Sequence, residues 1–307
     1  MPFDKFNSRL VYHMNININR FSNNGIQTGF IKHISNLYIV GEQGTSLISN
    51  TRILFELIIN SQKIFSIIFE PMKQNDPLGN ALEDYLNGNT SGKIIVKSSI
   101  AEDSGIPVDY LFRSEANMPE LEKKALQLCY GNVLDVGAAA GCHALILKNN
   151  GLNVQPIDIS EKAIQVMKNR GLKSARQADY FELKNEKYDT LLFLMNGIGI
   201  CGELTNLGDF FRKAMDLLKP DGQILLDSSD IIYMFEVEDG SVEIDLNAGY
   251  YGEVEYQMQY GACNGEKFHW LFIDFETLNT YATRNGFSCE LILEGEHFDY
   301  LARLKKV

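Results

Sequence analysis

Cysteine and long apolar runs are both scarce in this sequence. The 307 residues include five cysteines, which are scattered, odd in number and never spaced as CxxC. Such a set argues against a disulfide framework or a zinc site and fits a reducing compartment. No uncharged apolar stretch reaches the roughly 18 residues of a membrane span, and no charged-then-apolar leader opens the chain. We therefore expect a cytoplasmic protein with no membrane partner and no bound metal.

Basic residues are also in short supply. The chain carries 28 Lys and Arg against 40 Asp and Glu, for a net charge of −12. The first 70 residues hold six basic and four acidic residues, so the remainder holds 22 basic and 36 acidic ones. An acidic body repels phosphate backbones. Nucleic acid is therefore an unfavourable partner, and a small-molecule substrate is favoured.

Alanine is absent from the first 80 residues, and Ala81 is the first. Residues 1–71 are rich in isoleucine and asparagine, and residues 53–69 have the spacing of an amphipathic helix. This segment is either a small accessory element packed on the main domain or an extension upstream of a true start at Met72. We expect no catalytic residue in it.

From residue 72 onward, helical patterns and apolar strands alternate. Residues 72–131 are predicted to form a helical cap or lid, beginning with a helix capped by Asp76 with Pro77 at its first position. Residues 132–307 then repeat strand and helix, with continuous apolar strands such as "YDTLLFLM". Such strands indicate a doubly wound, mostly parallel α/β sheet covered on both faces, which binds ligands at the carboxyl ends of its strands.

Two stretches near the end alternate strictly between apolar and polar residues. "YGEVEYQMQYG" followed by "KFHWLFI" predicts an antiparallel hairpin inside an insertion spanning residues 229–273. "FSCELIL" and "FDYLARL" predict a terminal antiparallel hairpin.

The stretch "VLDVGAAAG" places small residues at a strand-to-helix turn. Glycines at 137 and 141 give the spacing G-x-A-x-G, and the last glycine comes one residue too early for the dinucleotide fingerprint G-x-G-x-x-G. Asp135, two residues before the first glycine, would repel a pyrophosphate but suit an ammonium or sulfonium group. The turn therefore favours a cationic ligand over NAD.

The sequence resembles the class I S-adenosylmethionine-dependent methyltransferases over about residues 110–304. "VLDVGAAAG", "IDIS", "QADYF", "YDTLLFLMNGIG" and "LKPDGQILLDSSD" are similar to successive motifs of that family, in order and at ordinary spacing. The resemblance implies a Rossmann-like, seven-stranded, mostly parallel sheet with an antiparallel terminal hairpin, and S-adenosyl-L-methionine as cofactor. Ala139 departs from the usual middle glycine, which is acceptable if its φ stays below zero, and Asp221 replaces a turn glycine.

The resemblance also implies roles for individual residues. The small turn residues would pass under the methionine moiety, Asp135 would face its amino group, and Asp158 would accept hydrogen bonds from the ribose hydroxyls. Asp179 would meet the adenine, with Tyr180 or Phe181 beside the ring. The implied cofactor-binding set is Asp135, Gly137, Ala139, Gly141, Asp158, Ile159, Asp179, Tyr180, Asn196 and Gly197.

Methyl transfer from a sulfonium needs alignment and a dry site, and a general base only when the acceptor starts protonated. No residue stands out as catalytic. Arg113 could bind a carboxylate or be a solvated surface arginine, His143 could contact the cofactor carboxylate, and His269 could be an ordinary strand histidine. The candidate substrate residues are Tyr110, Arg113, His143, Tyr233, His269 and Trp270.

The sequence thus predicts an S-adenosylmethionine-dependent methyltransferase of a small molecule, acting as a monomer or homodimer. A nucleotide-dependent oxidoreductase and a non-catalytic cofactor-binding protein are the alternatives.

Overall fold

The computed structural model describes residues 38–41, 44–47, 75–237, 239–245 and 249–307. The chain divides into two units, residues 1–73 and residues 74–307. In the first unit, strands β1 (Tyr38–Gly41) and β2 (Gly44–Leu47) pair antiparallel. The amphipathic helix predicted over residues 53–69 lies outside the described residues.

The second unit is built on a seven-stranded sheet with the order β12-β13-β9-β8-β5-β6-β7. Its strands are β5 (Asn132–Val136), β6 (Asn153–Asp158), β7 (Arg176–Gln177), β8 (Tyr188–Phe193), β9 (Leu218–Ser229), β12 (Phe287–Glu294) and β13 (Asp299–Lys306). Strands β5 to β9 pair parallel, and β13 runs antiparallel between β9 and β12. The predicted sheet and its terminal hairpin are confirmed.

The described residues of the second unit form six α-helices, and three of them begin at a residue whose side chain caps the first turn. They are α1 (Pro77–Leu86), α2 (Glu120–Leu128), α3 (Cys142–Asn149), α4 (Glu161–Asn169), α5 (Leu207–Leu217) and α6 (Phe275–Arg284). Asp76 Oδ1 accepts the backbone N–H of Gly79 at 2.7 Å, and Ser160 Oγ accepts that of Ala163 at 3.0 Å. Each bond satisfies a donor that the first helical turn leaves free.

The apolar core lies on both faces of this sheet. On one face, the rings of Phe193, Phe210 and Phe211 pack edge to face in sequence, with centroids 5.1 Å and 5.3 Å apart, and all three are fully buried. On the other, Leu147, Met167 and neighbouring residues fill the space under α3 and α4. Burying each such side chain contributes about 1.5–3 kcal/mol, so the sheet is a rigid base for the loops at its edges.

A second, four-stranded antiparallel sheet has the order β11-β10-β3-β4, and we call it the roof sheet. Its strands are β3 (Lys93–Ser98), β4 (Ser104–Pro107), β10 (Glu253–Tyr260) and β11 (Cys263–Leu271). The predicted insertion hairpin is present as β10 and β11. Residues 72–131, predicted as a helical cap, also contribute β3 and β4, and β3 pairs with β10 from Tyr256↔Ser98 to Gln259↔Ile95.

The roof sheet packs against turns at the carboxyl ends of the parallel strands. The indole of Trp270 lies so close over Gly199 that a Cβ at that glycine would sit 2.1 Å from Trp270 Nε1. Ala139, after β5, and Met195, after β8, belong to the same apolar cluster as Tyr256 and Met258 of the roof sheet. Doubly wound sheets bind their ligands in a crevice outside the carboxyl ends of their strands, which here is the region beside these turns.

Candidate active site

The turn after β5 is shaped by three positive φ angles. Gly137 has φ +70, is exposed, and has open space where a Cβ would lie, so a ligand can approach its backbone closely. Gly141 has φ +76, and a Cβ there would lie 2.4 Å from Leu172 Cδ1, so its glycine is required by packing beneath the turn. Ala139 has φ +48, so the condition of a φ below zero, under which alanine could replace the usual glycine, is not met.

Asp158, the last residue of β6, explains how Ala139 keeps that conformation. Its Oδ2 accepts the backbone N–H of Ala139 at 2.9 Å, and its Oδ1 accepts that of Ser160 at 2.9 Å. Asp158 is only 7% exposed. Burial raises the pKa of its carboxyl, although the two backbone hydrogen bonds act in the opposite direction. The carboxylate therefore joins the turn after β5 to the end of β6.

Asp135 is a buried carboxylate with an unsatisfied oxygen. It is 2% exposed, accepts the backbone N–H of Ala144, and its Oδ2 has no hydrogen-bond partner among the described residues. Burial raises the pKa of this carboxyl to about 6. Buried polar groups are nearly always paired, so this oxygen fits a cofactor that brings an ammonium group, directly or through water.

The edge of the crevice beyond β6 carries an exposed apolar residue and an exposed acid. Ile159 is 73% exposed directly after Asp158. Asp179 is exposed, and its Oδ1 accepts the backbone N–H of Phe181 at 2.8 Å. Tyr180 instead points into the core, 2% exposed, with its hydroxyl donating to the Phe210 carbonyl at 3.0 Å. The expectation that Tyr180 faces the cofactor is therefore wrong, and Phe181, which is half-buried, is the ring nearer the surface.

Two consecutive left-handed residues follow β8. Met195 has φ +62 and Asn196 has φ +57. Asn196 is tied in place, since its Oδ1 accepts from Ser228 Oγ at 2.9 Å and its Nδ2 donates to the Leu271 carbonyl at 3.3 Å. Gly197 is buried, and a Cβ there would lie 2.9 Å from Phe193 Cβ.

Asp227, near the end of β9, holds this turn. Its Oδ2 accepts the backbone N–H of Met195 at 3.1 Å, and its Oδ1 accepts that of Asn196 at 2.7 Å. Burial raises the pKa of the Asp227 carboxyl to about 7.

A buried ionic network lies beneath the turn after β5. Glu122 Oε2 accepts from Arg113 at 2.5 Å and is paired with His143 Nε2 at 2.8 Å, and all three side chains are at most 6% exposed. Burial alone would lower the pKa of His143, but hydrogen bonds to Cys142 and Glu122 outweigh it and raise the pKa to about 10. Arg113 is thus neither a surface arginine nor free for a ligand carboxylate, and His143 contacts Glu122, so both expectations are corrected.

The ring of Tyr110 lies beside this network. The Arg113 guanidinium sits 4.0 Å from the centroid of that ring and donates to the Tyr110 carbonyl at 2.6 Å. Tyr110 itself is 38% exposed, and the carboxylates of Glu122 and Asp227 act electrostatically on its hydroxyl. The network therefore fixes a partly exposed aromatic ring near the turn after β8.

The remaining candidate substrate residues are placed differently from one another. Trp270 shares a face of the roof sheet with buried Val254 and covers Gly199. His269, on the opposite face, pairs with Glu203 at 3.0 Å and is half exposed. Tyr233 stacks on Phe298, with ring centroids 5.2 Å apart. Trp270 therefore faces the turns, whereas His269 points to the outer side.

Glu122 and Asp227 are missing from the set predicted by sequence. Glu122 looked like an ordinary acid in the first turn of a helix. Asp227 lies within "LLDSSD" at the carboxyl end of a central strand, and that position was the available signal.

Within residues 75–237, 239–245 and 249–307, no helix is long and apolar enough to cross a membrane. Over the same residues, no group of three His, Cys, Asp or Glu is arranged to hold a metal ion. All five cysteines are free thiols.

This chain is similar to known proteins in both sequence and fold. A family model described as a methyltransferase domain matches residues 130–276. The crystal structure of a SAM-dependent methyltransferase from Bacteroides fragilis, in complex with S-adenosyl-L-homocysteine, is 49% identical with a TM-score of 0.71. That match covers 76% of this chain and 95% of the other. The chain belongs to the S-adenosylmethionine-dependent methyltransferases.

The CcbJ methyltransferase from Streptomyces caelestis is 14% identical with a TM-score of 0.49, covering 62% of this methyltransferase and 90% of that chain. No curated protein matches the chain. The cofactor of this methyltransferase is S-adenosylmethionine, as the sequence predicted. The oxidoreductase and the non-catalytic binding protein are accordingly disfavoured.

Proposed function

We propose that this methyltransferase transfers the methyl group of S-adenosylmethionine to a small-molecule acceptor held between the carboxyl edge of the sheet and the roof sheet. The observation that carries the proposal is the enclosure of that edge. Trp270 covers Gly199, and Met195 and Ala139 share one apolar cluster with the roof sheet. An enclosed, partly apolar crevice suits a small ligand rather than a long polymer.

Residues around the turn after β5 have the chemistry to hold the cofactor. Gly137 leaves room for the methionine moiety, and the unpaired Asp135 Oδ2 suits its ammonium group. Asp158 would accept hydrogen bonds from the ribose hydroxyls, and the exposed Ile159 and Asp179 would lie beside the adenine. The cofactor, when bound, supplies an already activated methyl group. The chain's own task is then to align the acceptor and exclude water.

In this proposal Asp158 both holds the turn after β5 and binds the ribose. Because its two oxygens already accept backbone N–H groups, ribose hydroxyls would share those oxygens through their remaining lone pairs. Ala139 and Gly141 then serve the cofactor through the shape of the turn, and Asn196 and Gly197 through the shape of the wall after β8.

Tyr110 and Trp270 are the aromatic residues best placed to contact the acceptor. Tyr110 is held by Arg113 with its ring partly exposed, and Trp270 lies against the turn that follows β8. Tyr233 is a less direct candidate, since its ring stacks on Phe298. Arg113 and His143 act through Glu122, and His269 lies on the outer face. We assign no general base.

We also propose that the enzyme works in the cytoplasm, because free thiols suit a reducing compartment. We expect it to act there as a monomer or homodimer. The acidic balance of residues 71–307 disfavours nucleic acid as the acceptor.

Thermal unfolding with added ligands tests the cofactor half of the proposal. S-adenosylhomocysteine at about 100 times its Kd should stabilise the protein by about 2.7 kcal/mol, whereas NADH should give no shift. A shift with NADH and none with S-adenosylhomocysteine would contradict it. The identity of the acceptor is tested with methyl-labelled cofactor. The label transferred into small metabolites is compared with the label transferred into protein.

A further inference from the structure

The turn after β8 has a backbone that needs an explanation. Met195 and Asn196 are consecutive non-glycine residues with φ +62 and φ +57. Asparagine tolerates this region, but for a residue such as methionine it is uncommon. Such conformations persist only where the surroundings over-determine them.

Asp227, on the neighbouring strand β9, holds these two residues in place. Its two carboxylate oxygens accept the N–H groups of the two left-handed residues, one oxygen to each, at 3.1 Å and 2.7 Å. Hydrogen bonds to a charged acceptor are stronger than those between neutral groups. An ionised carboxylate also offers both oxygens as pure acceptors, which a protonated carboxyl or an amide does not.

The turn forms part of the crevice wall. The Met195 side chain belongs to the apolar cluster that contains Ala139, from the turn after β5, and Met258, from the roof sheet. A change in the backbone at 195–196 would therefore move a side chain that lies between the turn after β5 and the roof sheet.

We propose that Asp227 is a positioning residue, whose carboxylate holds residues 195–197 in the conformation that aligns cofactor and acceptor for methyl transfer. The role in alignment rests on the proposed function, whereas the hold on the turn does not. Asp227 acts through the backbone of the turn, without touching the reacting atoms.

The ionisation of Asp227 should then control the turn. Burial raises the pKa of this carboxyl to about 7, with Glu122 on α2 raising it further and His143 on α3 opposing it. Tyr110, on the segment 108–112, and Tyr300, on β13, are the other titratable groups near it. As the pH rises through this pKa, the carboxyl ionises and holds both N–H groups. As the pH falls through it, the carboxyl becomes protonated, and the turn should loosen.

Amide NMR of the full chain tests the hold on the turn without any ligand. Between pH 5 and pH 9, the amide signals of Met195 and Asn196 should shift together with one midpoint near 7. In Asp227→Asn this shared titration should be absent, and both amides should exchange with solvent at least about 10-fold faster, as loss of a charged hydrogen bond implies.

Asp189→Asn is the matched control. Asp189 lies near the start of the same strand, β8, and also accepts a backbone N–H, that of Asn132 at 2.7 Å. This variant should leave the signals of residues 195–197 unchanged. If Met195 and Asn196 titrate in Asp227→Asn as they do in the unmodified protein, Asp227 does not hold the turn and the proposal is wrong.

Methyl transfer tests the alignment. Label from methyl-labelled S-adenosylmethionine should pass into a deproteinised cell extract about 10- to 100-fold more slowly with Asp227→Asn, while the Kd of S-adenosylhomocysteine changes less than about 3-fold. The added substitution Met195→Gly, which accepts a positive φ without help, should restore part of the rate. Equal rates for Asp227→Asn and the unmodified protein would overturn the alignment role. No transfer by the unmodified protein would instead count against the proposed function, and the amide titration would still decide on the turn.

Discussion

Substituting Glu122 by glutamine should strongly destabilise the enzyme, because it removes the only carboxylate that neutralises two buried cations in the described network. Arg113 and His143 both contact Glu122 Oε2, at 2.5 Å and 2.8 Å, and the three side chains are 3–6% exposed. Breaking a buried ion pair by removing one partner costs about 3–5 kcal/mol. At about 2–4 °C per kcal/mol for a domain of this size, Tm should fall by roughly 6–20 °C.

The pH dependence gives this prediction a second, independent readout. The pKa of Glu122 is lowered, because its bonds to His143 and Arg113 outweigh the effect of burial, and the pKa of His143 is raised to about 10. The lowered carboxyl stabilises the fold above its unfolded pKa, near 4.5, and the raised imidazole does so below its unfolded pKa, near 6.5. The stability difference between Glu122→Gln and the unmodified protein should therefore be largest between these values and shrink as the pH rises toward 10.

Glu120→Gln is the control on the same helical turn. Glu120 is exposed and pairs with Lys123 at 2.9 Å, so its loss should cost less than about 1 kcal/mol. Urea and thermal unfolding followed by circular dichroism would measure both variants across pH 5 to 9. Equal stabilities for the two variants would refute the assignment of a stabilising role to the buried network.

Three further predictions concern the turn after β5, its anchor Asp158, and the first unit. Gly141→Ala should lower the free energy of unfolding by about 2–5 kcal/mol, since a Cβ there meets Leu172 at 2.4 Å and φ is positive. Gly137→Ala should lower it by only about 1–2 kcal/mol of backbone strain but should weaken S-adenosylhomocysteine binding. A larger loss of stability in Gly137→Ala, or weaker binding in Gly141→Ala than in Gly137→Ala, would contradict these roles. Asp158→Ala should weaken that binding by about 10-fold to more than 100-fold and also lower Tm, because the turn loses its anchor; unchanged calorimetric titrations would show that its carboxylate does not reach the ribose. A chain beginning at Met72 should fold and bind S-adenosylhomocysteine as the full chain does, and loss of folding would show that residues 1–71 belong to the core.

Local chemistry made much of the fold predictable. Asp76 and Pro77 mark the start of α1, and "YDTLLFLM" marks a buried parallel strand, because capping and periodicity act over a few residues. The pairing of β3 with β10 joins strands about 160 residues apart, and no local pattern in either strand specifies its partner. The roof sheet therefore appeared in the sequence only as an isolated hairpin.

The site divides in the same way. The positions of Asp135 and Asp158 at strand ends follow from motif order, and the structure places Asp135 next to last in β5 and Asp158 last in β6. Tyr180 lies in a short 3₁₀ turn, where no periodicity indicates which of two adjacent rings points inward. Arg113 is buried because it pairs with Glu122, which also contacts His143 on a separate helix. No sequence spacing is typical of such a contact between helices, so the sequence did not indicate the partner of Arg113.

The most direct test of the proposed activity is methyl transfer itself. The purified protein would be incubated with methyl-labelled S-adenosylmethionine and a deproteinised cell extract, and the products separated by chromatography and mass spectrometry. The proposal predicts label in a discrete small compound, in an amount matching the S-adenosylhomocysteine formed, and little transfer by Asp158→Ala. Tight cofactor binding with no labelled small compound, or label found only in added protein, would contradict it.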